Sequence, residues 1–169
     1  IYLLSRMGRT TTNLLVRLQE TLQNRYPDDW KDDLAAVYMA ATYHLLKMDD
    51  PAGQLAGQYR FGTDKRKAFG DFDRPLTRDA QALFLICRHF EVQAKKIAGD
   101  DLLRLVDPIF KGRTNTIGAS YTTLALGAYG RLALADGDPE VVRFELETDD
   151  GASRVLKSRE APFPTADYD

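Results

Sequence analysis

Three times within the first 134 residues, a polar helical segment is followed by a longer one rich in alanine and aromatic residues: 11–25 then 33–47, 51–60 then 77–90, 101–111 then 116–134. The richer segments recur at a spacing of about 40 residues, inside the range that marks helical repeat architectures. The difference in composition has a physical cause. When αα-hairpins stack, one helix of each pair is surrounded by neighbours and the other keeps a face in water. Two arrangements satisfy this pattern, an open solenoid or a closed α/α toroid whose inner helices form a barrel wall. Three hairpins make about half of a six-hairpin ring.

The most demanding of the richer segments is TNTIGASYTTLALGAYGRLAL, Thr114 to Leu134. Ile117, Ala119, Tyr121, Leu124, Ala125, Ala128, Tyr129 and Leu132 recur at helical spacing, which predicts one long buried helix. Gly118, Gly127 and Gly130 each cost roughly 1 kcal/mol of propensity relative to Ala, so close approach of neighbouring helices is expected there. Tyr121 and Leu124 are expected in the core, together with Val37 and Leu83.

IYLLSRMG reads as the last turns of a helix ending at Gly8. One of Thr10, Thr11 and Thr12 then caps an outer helix with a stripe of Leu14, Leu15, Leu18 and Leu22. Asp32 or Asp33 caps DLAAVYMAATYHLLK, apolar nearly all round from 34 to 41 and hence an inner helix. Asp50 followed by Pro51 predicts a short helix running to about Arg60. Residues 61–75 have no period and read as a surface loop that tucks in Phe69 and Phe72. The next inner helix, capped near Thr77, presents Ala80, Leu83, Phe84, Cys87 and Phe90. Asp100 caps DLLRLVDPIFKG, with Leu102, Leu103, Val106, Ile109 and Phe110 apolar and Pro108 expected to kink or shorten it.

After Pro139 the period changes from 3.6 to 2. Val142, Phe144 and Leu146 alternate with charged residues, and the turn Asp149–Asp150–Gly151 predicts a hairpin with a second strand in SRVLKSRE. The fold class expected is therefore mainly α, an αα-hairpin array over 1–135, with a C-terminal β-hairpin and tail over 139–169. A lone hairpin is marginal in water, so it reads as the start of a β-domain.

Charge narrows the function classes. Twenty-three basic against 25 acidic residues give a net charge of −2, which argues against nucleic acid as a partner. No apolar run reaches the ~20 residues of a bilayer span. A single cysteine, Cys87, excludes an intrachain disulfide and a multi-cysteine metal site within this segment.

No residue stands out as catalytic, cofactor-binding or metal-binding. His44 and His89 lie on different helices without a second ligand at metal spacing, and both read as structural. Cys87 among Leu85 and Ile86 reads as a buried, inert thiol. The pairs Asp28–Asp29, Asp32–Asp33, Asp49–Asp50, Asp100–Asp101 and Asp149–Asp150 all fall at helix starts or turns, where carboxylates satisfy free backbone N–H groups. The basic run Lys65–Arg66–Lys67, close to Phe61, Phe69 and Phe72, is offset by Asp64, Asp71 and Asp73 and reads as solvated loop. A toroidal enzyme would instead need carboxylates across one cleft, for example Asp33 and Asp79 with a histidine. A third possibility is an open helical-repeat module with a concave binding face.

Four segments in order, YLLSRMGRTTTNLLVRL, DDLAAVYMAATYHLLK, RPLTRDAQALFLICRHF and GRTNTIGASYTTLALGAYGRLA, resemble the later half of the thioester domain of bacterial alpha-2-macroglobulins. The resemblance covers residues 1–135, and the strands after Pro139 would enter the next macroglobulin-type β-sandwich. It implies a periplasmic, often lipid-anchored protein that traps proteases: bait cleavage changes its shape and exposes a Cys–Gln thioester to the protease's lysines. The family's Cys-x-x-Gln is not matched here, since Cys87 is followed by Arg88, His89 and Phe90. No reactive residue carries over, and the implied role is non-enzymatic scaffold. The implied partners are proteases, through the full-length parent, and neighbouring macroglobulin-like domains. Uncovered apolar flanks of a half ring also predict self-association in isolation.

Overall fold

The structure is a computed structural model that describes residues 1–27, 29–62, 74–135, 144–147 and 153–156. It divides into two compact units, Ile1–Ala133 and Leu134–Asp169. The first unit is helical, and the protein is mainly α. Its elements are α1 (Tyr2–Arg6), α2 (Thr12–Arg25), α3 (Leu34–Leu45), α4 (Asp49–Ala56), α5 (Pro75–His89), α6 (Glu91–Ala94), α7 (Gly99–Phe110) and α8 (Thr116–Ala135).

Helix α3 is the centre of this unit, packed against α1, α4 and α5, while α7 packs on α5. Ala36, Val37, Met39, Ala40, Ala41, Thr42 and Tyr43 are all buried, as expected of a helix apolar on every side. Its start is fixed by Asp33, whose carboxylate accepts the Ala35 N–H at 2.6 Å. The other candidate cap, Asp32, has no such role. The buried Thr42 hydroxyl donates to the Tyr38 carbonyl at 2.7 Å, so a polar side chain enters the core without an orphaned group.

The helix directions follow from side-chain partners. Tyr38 meets Gln81 at 2.9 Å, and further along the same two helices the rings of His44 and His89 lie 5.7 Å apart, so α3 and α5 run parallel. Leu76 lies beside Gly118, and Gln81 and Tyr121 line one cavity, so α8 is parallel to α5. Gly53 near the start of α4 faces Gln93 beyond the end of α5, whereas Tyr59 after α4 bonds Asp79 near the start of α5. Helix α4 is therefore antiparallel to α5, the arrangement of consecutive hairpins.

Three helices close with the same device. After α1, α3 and α7, the next residue but one takes a left-handed backbone conformation: Gly8 at φ 76°, Lys47 at φ 61° and Gly112 at φ 62°. In each, the following N–H reaches back five residues: Arg9 to Leu4, Met48 to Tyr43 and Arg113 to Pro108. Glycine suits this backbone, but a lysine there carries a strain of about 1 kcal/mol.

Several expectations need correction. Leu124 is 55% exposed and not core; among the described side chains of α8 the buried stripe is Gly118, Thr122, Ala125 and Ala128. The reason is one-sided packing: Leu124 is two residues from Thr122, about 200° round the helix. Tyr121 packs against the core while partly exposed. Close approach of a neighbouring helix does not account for the three glycines. At Gly118 an added Cβ would lie 2.7 Å from the hydroxyl of Thr114, just before the same helix, with Leu76 of α5 at an ordinary 3.5 Å. Gly127 meets only the end of Arg131, and Gly130 has open space. In α2 the buried stripe is Leu15 with half-buried Leu18 and Leu22, and Leu14 is exposed. Leu105 anchors α7, whereas Leu103 and Phe110 face water, and the helix continues through Pro108 to Phe110. Pro108 sits in the last turn, so only one internal hydrogen bond is lost.

Some starts also shift. Helix α4 begins at Asp49 after Met48 and ends at Ala56, so Asp50 and Pro51 lie in its first turn. Helix α5 begins at Pro75, with proline in the position whose N–H is free anyway and Thr77 buried inside. Helix α7 begins at Gly99 after Ala98, with Asp100 and Asp101 in its first turn. All three start on helix-compatible residues just upstream of the expected cap.

In the second unit, β1 (Phe144–Glu147) and β2 (Ser153–Leu156) pair antiparallel, with Phe144 opposite Leu156 and Glu147 opposite Ser153. The turn Asp149–Asp150–Gly151, Val142, the basic run Lys65–Arg66–Lys67, Phe69 and Phe72 lie outside the described residues.

Candidate functional site

The residues singled out for possible chemistry divide between the two ends of α5. At its beginning stands Asp79, buried, accepting the Tyr59 hydroxyl at 2.7 Å and the Gly62 N–H at 3.1 Å. These bonds fasten the segment after α4 onto α5, where Phe61 also stacks edge-on against Tyr59 at 5.2 Å. Asp33 is spent on capping α3. The histidines lie at the other end: Asp79 and His89 are ten residues apart on one helix, roughly 15 Å along its axis. Asp33, Asp79 and a histidine are therefore not assembled around one cleft.

At the far end of α5 the structure joins two residues that the sequence separates. His44, in the last turn of α3, and His89, the last residue of α5, face each other ring to ring. His44 Nδ1 lies 3.0 Å from Asp49 Oδ1, across the tight turn that Lys47 makes possible. His89 Nε2 lies 2.8 Å from the hydroxyl of Tyr2, and Phe90 and Tyr38 complete the aromatic wall. Burial pushes the His89 imidazole down to about 4, helped by His44, Arg88 and Arg6 nearby. His89 is thus neutral at pH 7. One signal for this pairing was present in the sequence: both histidines stand at the end of an inner helix, one repeat apart.

Cys87 is buried, and loss of hydration pushes its thiol up to about 11. The nucleophilic thiolate is therefore negligible at neutral pH, consistent with an inert packing residue. Of the other acidic pairs, Asp49–Asp50 and Asp100–Asp101 lie in the first turns of α4 and α7 without making a side-chain cap hydrogen bond, a correction to the capping role expected of them. Asp101 pairs with Arg104 at 3.0 Å, and the lone Asp107 is held below the usual carboxylate range by Lys111 and Arg113. Among the described residues no three His, Cys, Asp or Glu side chains are grouped to hold a metal ion.

A cavity of about 580 Å³ opens between α1, α2, α3, α5 and α8. Its wall is mostly apolar, with Leu15, Met39 and Phe84, and its polar side chains are Tyr2, Arg6, Tyr38, Thr42, Gln81 and Tyr121. The Tyr38–Gln81 hydrogen bond satisfies two of these among themselves. The arrangement has the character of a packed interior with one open side, and it lacks a paired acid and base.

With this geometry in view, the likeness to known proteins is informative. The chain is 37% identical over 148 residues to an alpha-2-macroglobulin homolog of Yersinia pestis, 85% of this chain and 7% of that protein. It is 30% identical over 135 residues to the alpha-2-macroglobulin of Pasteurella multocida, covering 77% of this chain. It is also 30% identical over 133 residues to that of Rickettsia conorii, covering 76%. In both of these the match again spans 7% of the relative's length. No family model and no solved structure matches the chain. Three relatives from separate bacteria, aligned over most of the chain, identify it as a segment of the bacterial alpha-2-macroglobulin family.

Proposed function

We propose that this chain is a non-enzymatic scaffold segment of a bacterial alpha-2-macroglobulin-like protease trap. The observation that carries the reading is the extended similarity to three bacterial alpha-2-macroglobulins. The parallel course of α3, α5 and α8, with α4 returning between α3 and α5, supports a further step. These three helices, with α1 preceding them, form part of the inner wall of an α/α toroid, and α2, α4 and α7 belong to its outer layer. On this reading the boundary between the toroid and the next domain falls at 135–139, and β1 and β2 begin a macroglobulin-type β-sandwich.

The chemistry of such a trap is acyl transfer from a Cys–Gln thioester to a protease lysine, releasing a thiol. The segment contributes none of the reacting groups, because its sole cysteine is buried and lacks the Cys-x-x-Gln spacing. Its work is to hold a rigid wall against neighbouring domains. The compartment proposed is the periplasm, with the parent anchored by a lipid.

The test is protease capture by the full reading frame that encodes this segment. A trapping protein retains an endopeptidase after limited cleavage and shields it from large substrates while small peptides are still hydrolysed. Absence of retained protease across serine, cysteine and metalloproteases would contradict the reading. Detection of a methylamine-sensitive acyl bond within residues 1–169 would contradict the scaffold role.

A further inference from the structure

Two histidines far apart in the chain meet at one place in the fold. His44 lies in the last turn of α3 and His89 ends α5, with ring centres 5.7 Å apart and planes inclined at 65°. Helices α3 and α5 pack directly on one another, so the meeting is fixed by helical backbone on both sides. An imidazole nitrogen holds Zn²⁺ at about 2.0–2.1 Å, which puts two imidazoles on one tetrahedral ion roughly 5–5.5 Å apart, centre to centre. The observed separation exceeds this by a fraction of an ångström, and a small turn of the His44 side chain, 39% exposed, closes it.

Each ring already has one nitrogen engaged by an oxygen. His44 Nδ1 lies 3.0 Å from Asp49 Oδ1, and an ionised carboxylate can only accept, so the proton sits on Nδ1 and Nε2 keeps a lone pair. His89 Nε2 lies 2.8 Å from the Tyr2 hydroxyl, whose oxygen can accept as well as donate. With Nε2 donating, Nδ1 is the lone-pair nitrogen of His89. Histidines that bind metal are held in this way, with the other nitrogen fixed by a carboxylate or another oxygen. The surrounding charges are mixed: Asp49 favours a cation at His44, while Arg6 and Arg88 near His89 oppose one.

We propose that His44 and His89 form a two-point site for a divalent transition-metal ion of the Zn²⁺, Ni²⁺ or Cu²⁺ class, which ties the end of α3 to the end of α5. No third His, Cys, Asp or Glu is grouped with them among the described residues, so water completes the coordination. The imidazole donors select against Mg²⁺ and Ca²⁺, which take oxygen ligands. Two ligands in place of the four of a closed structural site supply about half its binding free energy, a dissociation constant on the order of 10 µM.

Calorimetric titration of Zn²⁺ into the full chain at pH 7, in a buffer that does not chelate, tests this. One ion should bind per chain with a dissociation constant on the order of 10 µM, and Mg²⁺ should give no saturable signal. His44→Gln and His89→Gln should each weaken binding by about tenfold or more, and Asp49→Asn by about tenfold through loss of the His44 anchor. Proton NMR of the unmodified chain gives a readout that no variant can compromise: the ring signals of both histidines should respond to the same equivalent of Zn²⁺. Absence of saturable Zn²⁺ binding below about 1 mM would overturn the site. So would affinity unchanged in either histidine variant, or a response confined to one histidine ring.

Discussion

Helices α3 and α8 have similar compositions and different surroundings. Both are rich in alanine, leucine and tyrosine, and neither is strongly one-sided. Yet α3 is buried on nearly every side, whereas α8 alternates buried Thr122, Ala125 and Ala128 with exposed Thr123, Leu124 and Gly127. Uniform apolarity in a helix records that burial is tolerated all round, not that a neighbour is present on each side. The same comparison shows what alanine does in the two places. In α3, Ala36, Ala40 and Ala41 are each 0% exposed and let helices meet closely, while α8 achieves this only along one stripe.

The largest expected contrast is between truncations. Met39→Ala in α3 should cost about 2–5 kcal/mol, because it leaves a cavity among buried neighbours. Urea denaturation midpoints would measure it, and a loss below about 1 kcal/mol would deny α3 its central place.

Acid comes next. His89 at the end of α5 has its imidazole pushed down to about 4, so folding is most favoured above 6.5 and weakens as pH falls toward 4. The full linkage for such a difference is about 3 kcal/mol, reduced to about 2 by the residue's partial exposure. Exchange protection should fall near His89 and Tyr2 before it falls in α8, which carries no histidine. Simultaneous loss along all three helices would mean that the cluster is no local feature.

Two smaller effects sharpen the picture of α8 and of the α3 terminus. Gly127→Ala should raise stability by about 0.5–1 kcal/mol, since an added Cβ meets only the end of Arg131 at 3.9 Å. Lys47→Gly should add a similar amount of about 1 kcal/mol by relieving the left-handed backbone after α3. Leu124→Ala should be the mildest, within about 0.5 kcal/mol of neutral. Thermal denaturation of the three variants orders them.

Much of the fold was legible because the chain punctuates its helices with strong signals. Asp33 as cap, Gly8 and Gly112 as stops and the all-round apolarity of α3 each act locally, within a turn of the residue concerned. The starts of α4, α5 and α7 were displaced because acidic residues and proline stabilise the whole first turn, not one position in it. What could not be read was long-range. The exposure of Leu124 depends on which neighbours α8 has, and the meeting of His44, His89 and Tyr2 depends on α3 and α5 being parallel and in register. Leu105 escaped notice for the same reason, since Leu102, Leu103 and Leu105 are chemically alike and packing alone selects the third.

The unequal covering of α8 is tested most directly by cysteine accessibility along that helix. In a Cys87→Ala background, single cysteines at positions 122, 124, 125, 127 and 128 would be timed against a small maleimide. The account predicts that cysteines replacing Leu124 and Gly127 react at least about tenfold faster than those replacing Thr122, Ala125 and Ala128. Equal protection at all five positions would contradict it.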